Sequence, residues 1–231
     1  MAGLAGSQNS GPGELPLGIG PNGTERTGPS KGTRSLGTAV LRIDANFFQQ
    51  DAVVCAESLI GSTFIWDGCG GTIVETEAYR AEGDPACHTF FRKSAKQFVD
   101  QHPAGTAYVY LNYGVHWLFN VLTKQDRNIG FVLLRAILPE TGIPQMELRR
   151  NQTTLKNLCS GPGKLTQALG ISGNQHAKPF LQRKGCRFLF PETKVNTLAD
   201  GRIGISRAEE FPWRFTSSEH QAWVSRKYQP L

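Results

Sequence analysis

Two strongly apolar segments, each interrupted by one polar residue, constrain this fold most. They span residues 117–122 (WLFNVL) and 131–137 (FVLLRAI), and the interruptions are Asn120 and Arg135. Runs this apolar and this short predict buried strands. A lone guanidinium is costly among such neighbours, so Arg135 needs a paired anion, for which Glu77 is the natural candidate. The pair is either a salt bridge that only holds the sheet or part of a site, and nearby tyrosines and Asn120 favour the site.

A further predicted strand carries two carboxylates. Side chains alternate between the faces of a strand, so Glu75, Glu77 and Tyr79 share one face and Val74 lies on the other. A carboxylate in a partly dry site is a candidate general acid or base. Taken alone, this strand favours a simpler arrangement in which the Val74 face packs in the core and both glutamates face water.

The predicted elements indicate a mixed α/β fold, a single domain whose curved, largely antiparallel sheet is flanked by helices. Residues 80–105 are polar and predict a long irregular loop that contains His88. Asp44 and Gly61 suit the two ends of the first helix, and Tyr113 precedes a turn glycine. Periodicity predicts strands at 63–66, 72–79, 106–112, 115–123, 130–138, 187–190 and 202–206, and helices at 45–60, 140–150 and 163–170.

Composition narrows the class of protein. Residues 1–38 are rich in Gly, Ser and Pro and predict a disordered arm before a folded domain at 39–231. The net charge of +6 points weakly to a nucleic-acid partner. The sequence contains neither an apolar run of about 18 residues nor a secretory signal pattern, so we expect no membrane partner. Five cysteines without a CxxC pair predict reduced thiols inside the cell and no metal site.

A glycine-rich segment at 160–165 (SGPGKL) precedes a predicted helix. Ser160, Gly161 and Lys164 could hold a backbone phosphate of a nucleic acid there, with the amides of the helix N-terminus. An ordinary helix start is the alternative. The Walker A spacing is absent, so we do not expect a nucleoside triphosphate.

Three tyrosines cluster near the predicted second hairpin. Tyr108 and Tyr110 share a strand face, and Tyr113 lies at the turn. Aromatic rings on a basic protein offer stacking platforms for bases. They could equally form an amphipathic strand that fills the core with its polar tips in water.

Six short motifs follow one another along the chain. They are VETEAY at 74–79, DPACH at 84–88, YVYLNYG at 108–114, FNV at 119–121, LLRA at 133–136 and LCSGPGKL at 158–165. In this order they resemble the alkyladenine (3-methyladenine) DNA glycosylase family, from about Thr38 to near the end of the sequence. Two positions depart from the family pattern. Residues 89–102 keep positive charge without the usual Arg/Thr/Asn-rich stretch, and Val115 stands where a methionine is common.

The resemblance implies a monofunctional base-excision enzyme that flips a damaged purine out of duplex DNA and hydrolyses its N-glycosidic bond. It implies no cofactor or metal and a monomer that acts in a bacterial nucleoid or cytoplasm, or in a eukaryotic nucleus. It assigns Glu77 to activating the water and Arg135 to holding Glu77 and that water. A non-catalytic nucleic-acid-binding protein on the same fold is the alternative.

The resemblance also implies which residues contact the DNA. Tyr79, His88 and Tyr110 would stack on or hydrogen-bond the flipped base, and Asn120 would exclude normal guanine by crowding its 2-amino group. Tyr113 would wedge into the gap left in the duplex. Alkylation makes the purine cationic, so it leaves readily and stacks well between electron-rich rings.

Overall fold

The computed structural model describes residues 41–230, and the predicted disordered arm at 1–38 lies outside them. Within this range five α-helices flank one eight-stranded sheet whose strand pairings are all antiparallel. The predicted mixed α/β class with a largely antiparallel sheet is therefore confirmed. Among residues 41–230 no helix has the length and apolar character needed to cross a bilayer.

Helices and strands come in groups along the chain, and four of the five α-helices lie between strands. The strands are β1 (Thr63–Trp66), β2 (Cys69–Arg80), β3 (Ala107–Asn112), β4 (His116–Gln125), β5 (Asn128–Thr141), β6 (Cys186–Leu189), β7 (Thr197–Asp200) and β8 (Arg214–Ser217). The α-helices are α1 (Ala52–Ser58), α2 (His88–Phe91), α3 (Lys93–Gln101), α4 (Ile143–Arg150) and α5 (Pro162–Leu169). Short 3-10 helices lie at Ala45–Phe48, Leu155–Asn157 and Gly173–Gln175.

The long strands β2 and β5 form the centre of the sheet. The strand order is β3-β4-β5-β2-β1-β6, and β8 pairs with both β2 and β7. The β2–β5 register shifts around Glu75, which pairs with Ala136, while Thr76 pairs with Leu134. Val74 is thus an extra residue of β2 just before the Glu75–Ala136 pair, and Arg135 is an extra residue of β5 just after it, so β-bulges lie on both sides of Glu75. Bulges of this kind redirect side chains and are common beside active sites.

Two apolar clusters hold the sheet and helices together. The larger one packs β1, β4 and β6 against α1, α4 and α5, with the rings of Phe64 and Phe119 stacked at a centroid distance of 5.7 Å. The smaller one joins α3 to β3 and β5, where Phe98 contacts Tyr108, and Tyr108 stacks on Phe131 at 4.5 Å. Tyr108 and Phe131 of this smaller cluster also line the pocket described below.

The predicted helix at 45–60 is divided in two. Asp44 caps the 3-10 helix Ala45–Phe48, as predicted, by accepting from the Asn46 N–H at 2.9 Å. The backbone then leaves the helical conformation at Gln49, and α1 begins after Asp51, whose carboxylate accepts from Val53 N–H. Aspartate is among the best N-cap residues, so a new helix start competes with a continuous helix here.

Residues 80–105 contain two helices, so the prediction of an irregular loop is wrong. Helix α3 buries Ala95, Phe98 and Val99, which lie three and four residues apart on one face. The remaining positions of α3 are polar, and Lys93 and Lys96 are exposed. The helix forms because this narrow apolar stripe packs on the smaller cluster. The polar residues around the stripe make this packing difficult to predict from the sequence.

The predicted strand at 202–206 is also wrong. These residues form a loop, and the strands β7 and β8 lie on either side of it. Gly204 adopts a positive φ of 77°, which a strand does not contain. This loop lines the pocket instead of extending the sheet.

Candidate active site

A pocket of about 700 Å³ opens at one end of the β3–β4–β5 part of the sheet. Strand side chains form its inner wall, and helix α2 and the loop at 203–207 form its sides. Its lining combines aromatic rings with a few polar groups, a composition typical of small-molecule sites. The predicted site residues that line it are Tyr79, His88, Tyr110, Tyr113, Asn120 and Arg135.

Glu77 lies directly beneath the floor of this pocket. Its Oε2 accepts from Arg135 Nη1 at 3.0 Å and from the Tyr79 hydroxyl at 2.8 Å. Its Oε1 accepts from the Ile203 N–H at 2.6 Å. All three of these neighbours line the pocket, whereas the Glu77 side chain is fully buried. The structure therefore brings together Glu77 and Arg135, the two residues that the sequence predicts to form a pair.

Glu75 is buried beside Glu77 on the same face of β2. Arg135 Nε lies 2.9 Å from Glu75 Oε1, and Arg214 Nε lies 2.7 Å from the same oxygen. The simpler prediction that both glutamates face water is wrong, because Glu75 and Glu77 both have 0% exposure. Burial alone would raise the pKa of Glu75, but the Arg135 and Arg214 guanidiniums hold it below its usual value.

Tyr79 contacts charged groups on two sides. Its hydroxyl donates to Glu77, and burial together with the Glu77 charge raises the pKa of Tyr79 well above its usual value. The Arg202 guanidinium lies 4.7 Å from the ring centroid and is held by a fully buried ion pair with Asp84. The phenol therefore stays protonated and keeps donating to the carboxylate.

His88 and Tyr110 form an aromatic wall of the pocket. Their ring centroids are 4.3 Å apart, and His88 Nδ1 lies 3.0 Å from the Tyr108 hydroxyl. His88 is the first residue of α2 and not part of an irregular loop as predicted. Burial, with a smaller effect of the Arg92 charge, lowers the pKa of His88 to about 4. The imidazole is therefore neutral at pH 7, as a stacking partner for a cationic purine should be.

The low pKa of His88 makes the stability of the folded protein depend on pH. Because the folded-state pKa of about 4 lies below the ordinary value of 6.5, the unfolded chain binds the proton more readily between these pH values. We expect stability to fall as the pH drops from 6.5 towards 4, and His88→Gln to remove part of that fall. Thermal melting between pH 4 and 7 measures it. Identical melting curves for the two proteins across this range would contradict the prediction.

Asn120 lies at the back of the pocket and is almost fully buried. Its Nδ2 donates to the Tyr108 carbonyl at 3.2 Å, which fixes the amide across the β3–β4 pair. Tyr113 lies at the opposite extreme, on the tip of the β3–β4 hairpin with 86% of its surface exposed. Asn120 therefore lies inside the pocket and Tyr113 at its rim, and their roles in binding DNA stay predictions.

The glycine-rich segment forms the start of α5. Lys164 Nζ lies 3.4 Å from the Ser160 hydroxyl, and Gly161 has a φ of 140° that disfavours other residues. A side chain at Gly163 would come within 2.8 Å of the His116 ring, so this glycine allows α5 to pack on β4. Packing thus accounts for Gly163, while the phosphate role of Ser160, Gly161 and Lys164 stays a prediction.

Several charged residues of the site were missed in the sequence. Arg214 is the first residue of β8, and its apolar neighbours Trp213 and Phe215 are a local indication of burial that is weaker than the long apolar segment around Arg135. Arg214 is fully buried and pairs with Asp200 at 2.7 Å. Arg202 follows a glycine at the start of the predicted strand at 202–206, and no local pattern indicates its burial.

Comparisons with known proteins give one consistent result. Residues 46–221 match the profile of a family described as methylpurine-DNA glycosylase. A protein of Agrobacterium fabrum named "Putative 3-methyladenine DNA glycosylase" is 45% identical over 193 residues, which cover 81% of this chain and 94% of that protein. A protein of the same name from Rhizobium meliloti is 42% identical over 188 residues, covering 81% of this chain and 98% of that protein.

Proposed function

Because the chain belongs to the methylpurine-DNA glycosylase family, as its six motifs predict, we propose that it is a monofunctional DNA glycosylase of base-excision repair. It flips alkylated or deaminated purines, of the 3-methyladenine, 7-methylguanine and hypoxanthine type, out of duplex DNA and hydrolyses their N-glycosidic bonds. The observation that carries this proposal is the buried Glu77–Arg135 pair directly beneath an aromatic pocket.

The charges beneath the pocket suit a cationic base. Three buried carboxylates, from Glu75, Glu77 and Asp200, face two buried guanidiniums, from Arg135 and Arg214. In their charged forms they leave one excess negative charge under the floor. A purine alkylated at N3 or N7 carries a positive charge, so this excess attracts it at short range in a dry site.

The reaction needs few protein groups. A water oxygen forms a bond to C1′ of the sugar, and the C1′–N9 bond breaks with its electron pair passing to the departing purine. Glu77 takes the proton of the water, and its negative charge stabilises the oxocarbenium character that develops at the sugar. Arg135 and the Tyr79 hydroxyl keep Glu77 oriented. No amine nucleophile is required, so Lys164 takes no part in bond cleavage.

Residues at the pocket wall would bind the flipped base. The neutral His88 and Tyr110 offer ring faces for stacking, and the buried Asn120 amide would crowd the 2-amino group of normal guanine. The exposed charges of Arg92, Lys93 and Lys96 would contact DNA phosphates beside the rim. All of these residues come from one chain, so a monomer of the 39–231 domain suffices.

Incubation with duplex DNA that contains 3-methyladenine or hypoxanthine tests the proposal. We expect release of the free base without strand cleavage, and no release from an undamaged duplex. Tight lesion binding without release would instead support the alternative, a non-catalytic nucleic-acid-binding protein.

Tyr113→Ala is expected to weaken binding to a lesion duplex. The residue has a φ of 50°, a left-handed conformation that is unfavourable for a side chain with a β-carbon, so the turn itself does not explain the tyrosine. Stacking of an aromatic ring on a base contributes about 1 to 3 kcal/mol, so we expect affinity to fall by roughly 5- to 150-fold. Fluorescence anisotropy with a hypoxanthine duplex measures it.

Leu148→Ala is the matched control for Tyr113→Ala. Leu148 is also a large exposed apolar residue, 76% exposed, but it lies on α4, which contributes no residue to the pocket. The control should bind the lesion duplex like the unaltered protein. Equal affinities for all three proteins would remove Tyr113 from its wedge role.

A further inference from the structure

The charged groups beneath the pocket are covered by residues 223–229, which we call the closing segment. It lies beyond residue 221, where the family match ends, and it forms neither helix nor strand. Val224 packs with Val74 and Ala136 in a small apolar cluster, and the Gln229 N–H donates to Asp200 Oδ2 at 3.0 Å. The closing segment is thus fixed by contacts on both sides of Ser225.

Ser225 contacts both members of the Glu75–Arg135 pair. Its N–H donates to Glu75 Oε2 at 2.6 Å, and its hydroxyl lies 2.7 Å from Glu75 Oε1. The same hydroxyl accepts from Arg135 Nη2 at 3.3 Å. A hydroxyl is both a donor and an acceptor, so one side chain can serve a carboxylate and a guanidinium at once.

With Ser225, each of the three nitrogens of the Arg135 guanidinium has a hydrogen-bond partner. Its Nε binds Glu75 at 2.9 Å, its Nη1 binds Glu77 at 3.0 Å, and its Nη2 binds Ser225. The guanidinium is planar, so partners along two of its edges fix both its position and its plane. Loss of the Ser225 contact would let the plane rotate, and Nη1 would then leave its line to Glu77.

We propose that Ser225 is a positioning residue for base release, which holds the Glu75–Arg135 pair so that Arg135 Nη1 points at Glu77. The inference rests on the proposed function of this site. Ser225 does not line the pocket, so it should affect the release step without affecting binding of the lesion. Loss of a residue that only stabilised the fold would not slow base release while leaving lesion binding unchanged.

Ser225→Ala, compared with Ser225→Thr, tests this inference. In single-turnover release from a hypoxanthine duplex we expect Ser225→Ala to be slower by roughly tenfold, equivalent to about 1.4 kcal/mol in the barrier. Its Kd for the same duplex should stay unchanged. Ser225→Thr keeps a hydroxyl and should recover most of the rate. Ser58→Ala is the control, because Ser58 is an exposed serine on α1 and is not among the hydrogen-bond partners of Glu75, Glu77 or Arg135.

Three results would overturn the inference. One is release by Ser225→Ala at the unaltered rate, and another is failure of Ser225→Thr to recover any rate while folding normally. The third is a rate loss matched by a loss of lesion affinity. If Ser225→Ala does not fold, Ser225→Cys carries the same test, since a thiol of similar shape is a weaker hydrogen-bonding group. Absence of release by the unaltered protein would instead contradict the proposed function itself.

Discussion

Replacing Glu77 by glutamine is expected to reduce base release by roughly 100- to 10,000-fold, the range typical for loss of a general base. Glutamine preserves the shape, but its single oxygen can accept either from Arg135 Nη1 and the Tyr79 hydroxyl or from the Ile203 N–H, so its NH₂ group faces a donor on the other side. It cannot take a proton from water, and it removes a negative charge from beneath the developing oxocarbenium ion. Single-turnover release of hypoxanthine from a duplex measures the loss.

Binding of a hypoxanthine duplex should survive Glu77→Gln, because this base is neutral and the carboxylate lies beneath the pocket surface without lining it. The control is Glu82→Gln, a change of an exposed glutamate outside the pocket lining, which should leave both release and binding unaltered. Release by Glu77→Gln at the rate of this control would remove Glu77 from catalysis. A parallel loss of affinity would assign Glu77 to binding.

Arg135→Met is expected to cause the largest loss of stability, about 3 to 5 kcal/mol, because it leaves buried charges without their partner. Arg135 binds both Glu75 and Glu77, and neither carboxylate has any exposure. Methionine fills part of the volume but supplies no charge or hydrogen bond. Chemical denaturation at pH 7, followed by tryptophan fluorescence, measures the free energy of unfolding.

The matched control is Arg183→Met, which breaks an exposed ion pair. Arg183 lies 2.9 Å from Asp67, and both side chains are 42% exposed. Pairs of this kind contribute about 1 kcal/mol or less. Similar losses in the two variants would show that the network beneath the pocket does not stabilise the fold. The difference between the stability losses of the two variants should narrow in acid. The lowered pKa of Glu75 gives the unaltered protein stability that is lost as the pH falls below 4.5.

Much of the sheet could be predicted from local patterns. The hairpin around Tyr113, the strand at Thr63–Trp66 and the apolar centres of β4 and β5 all lie where periodicity indicates. The Arg135–Glu77 pair was predictable for a different reason. A charge amid apolar residues must be neutralised, so its partner can be sought among the few acidic residues of other buried strands.

Other parts of the site gave no local pattern. Helix α3 has a narrow apolar stripe in a polar segment, and the stripe becomes significant only where the smaller cluster covers it. The sequence predicts a strand at 202–206, but these residues form a loop. Its Ile203 N–H instead donates to Glu77, 126 positions earlier in the chain.

The sequence by itself determined which chemistry is available: a carboxylate and an arginine inside apolar strands, tyrosines beside a turn, and six ordered motifs. These follow from side-chain alternation and from the cost of burying charge, both of which act within a few residues. Only the tertiary structure decided the arrangement. A bulge directs Arg135 between Glu75 and Glu77, and Ser225 completes the network from 150 positions away from Glu75. Packing in three dimensions selects such partners, and their separation along the chain does not indicate which residues will meet.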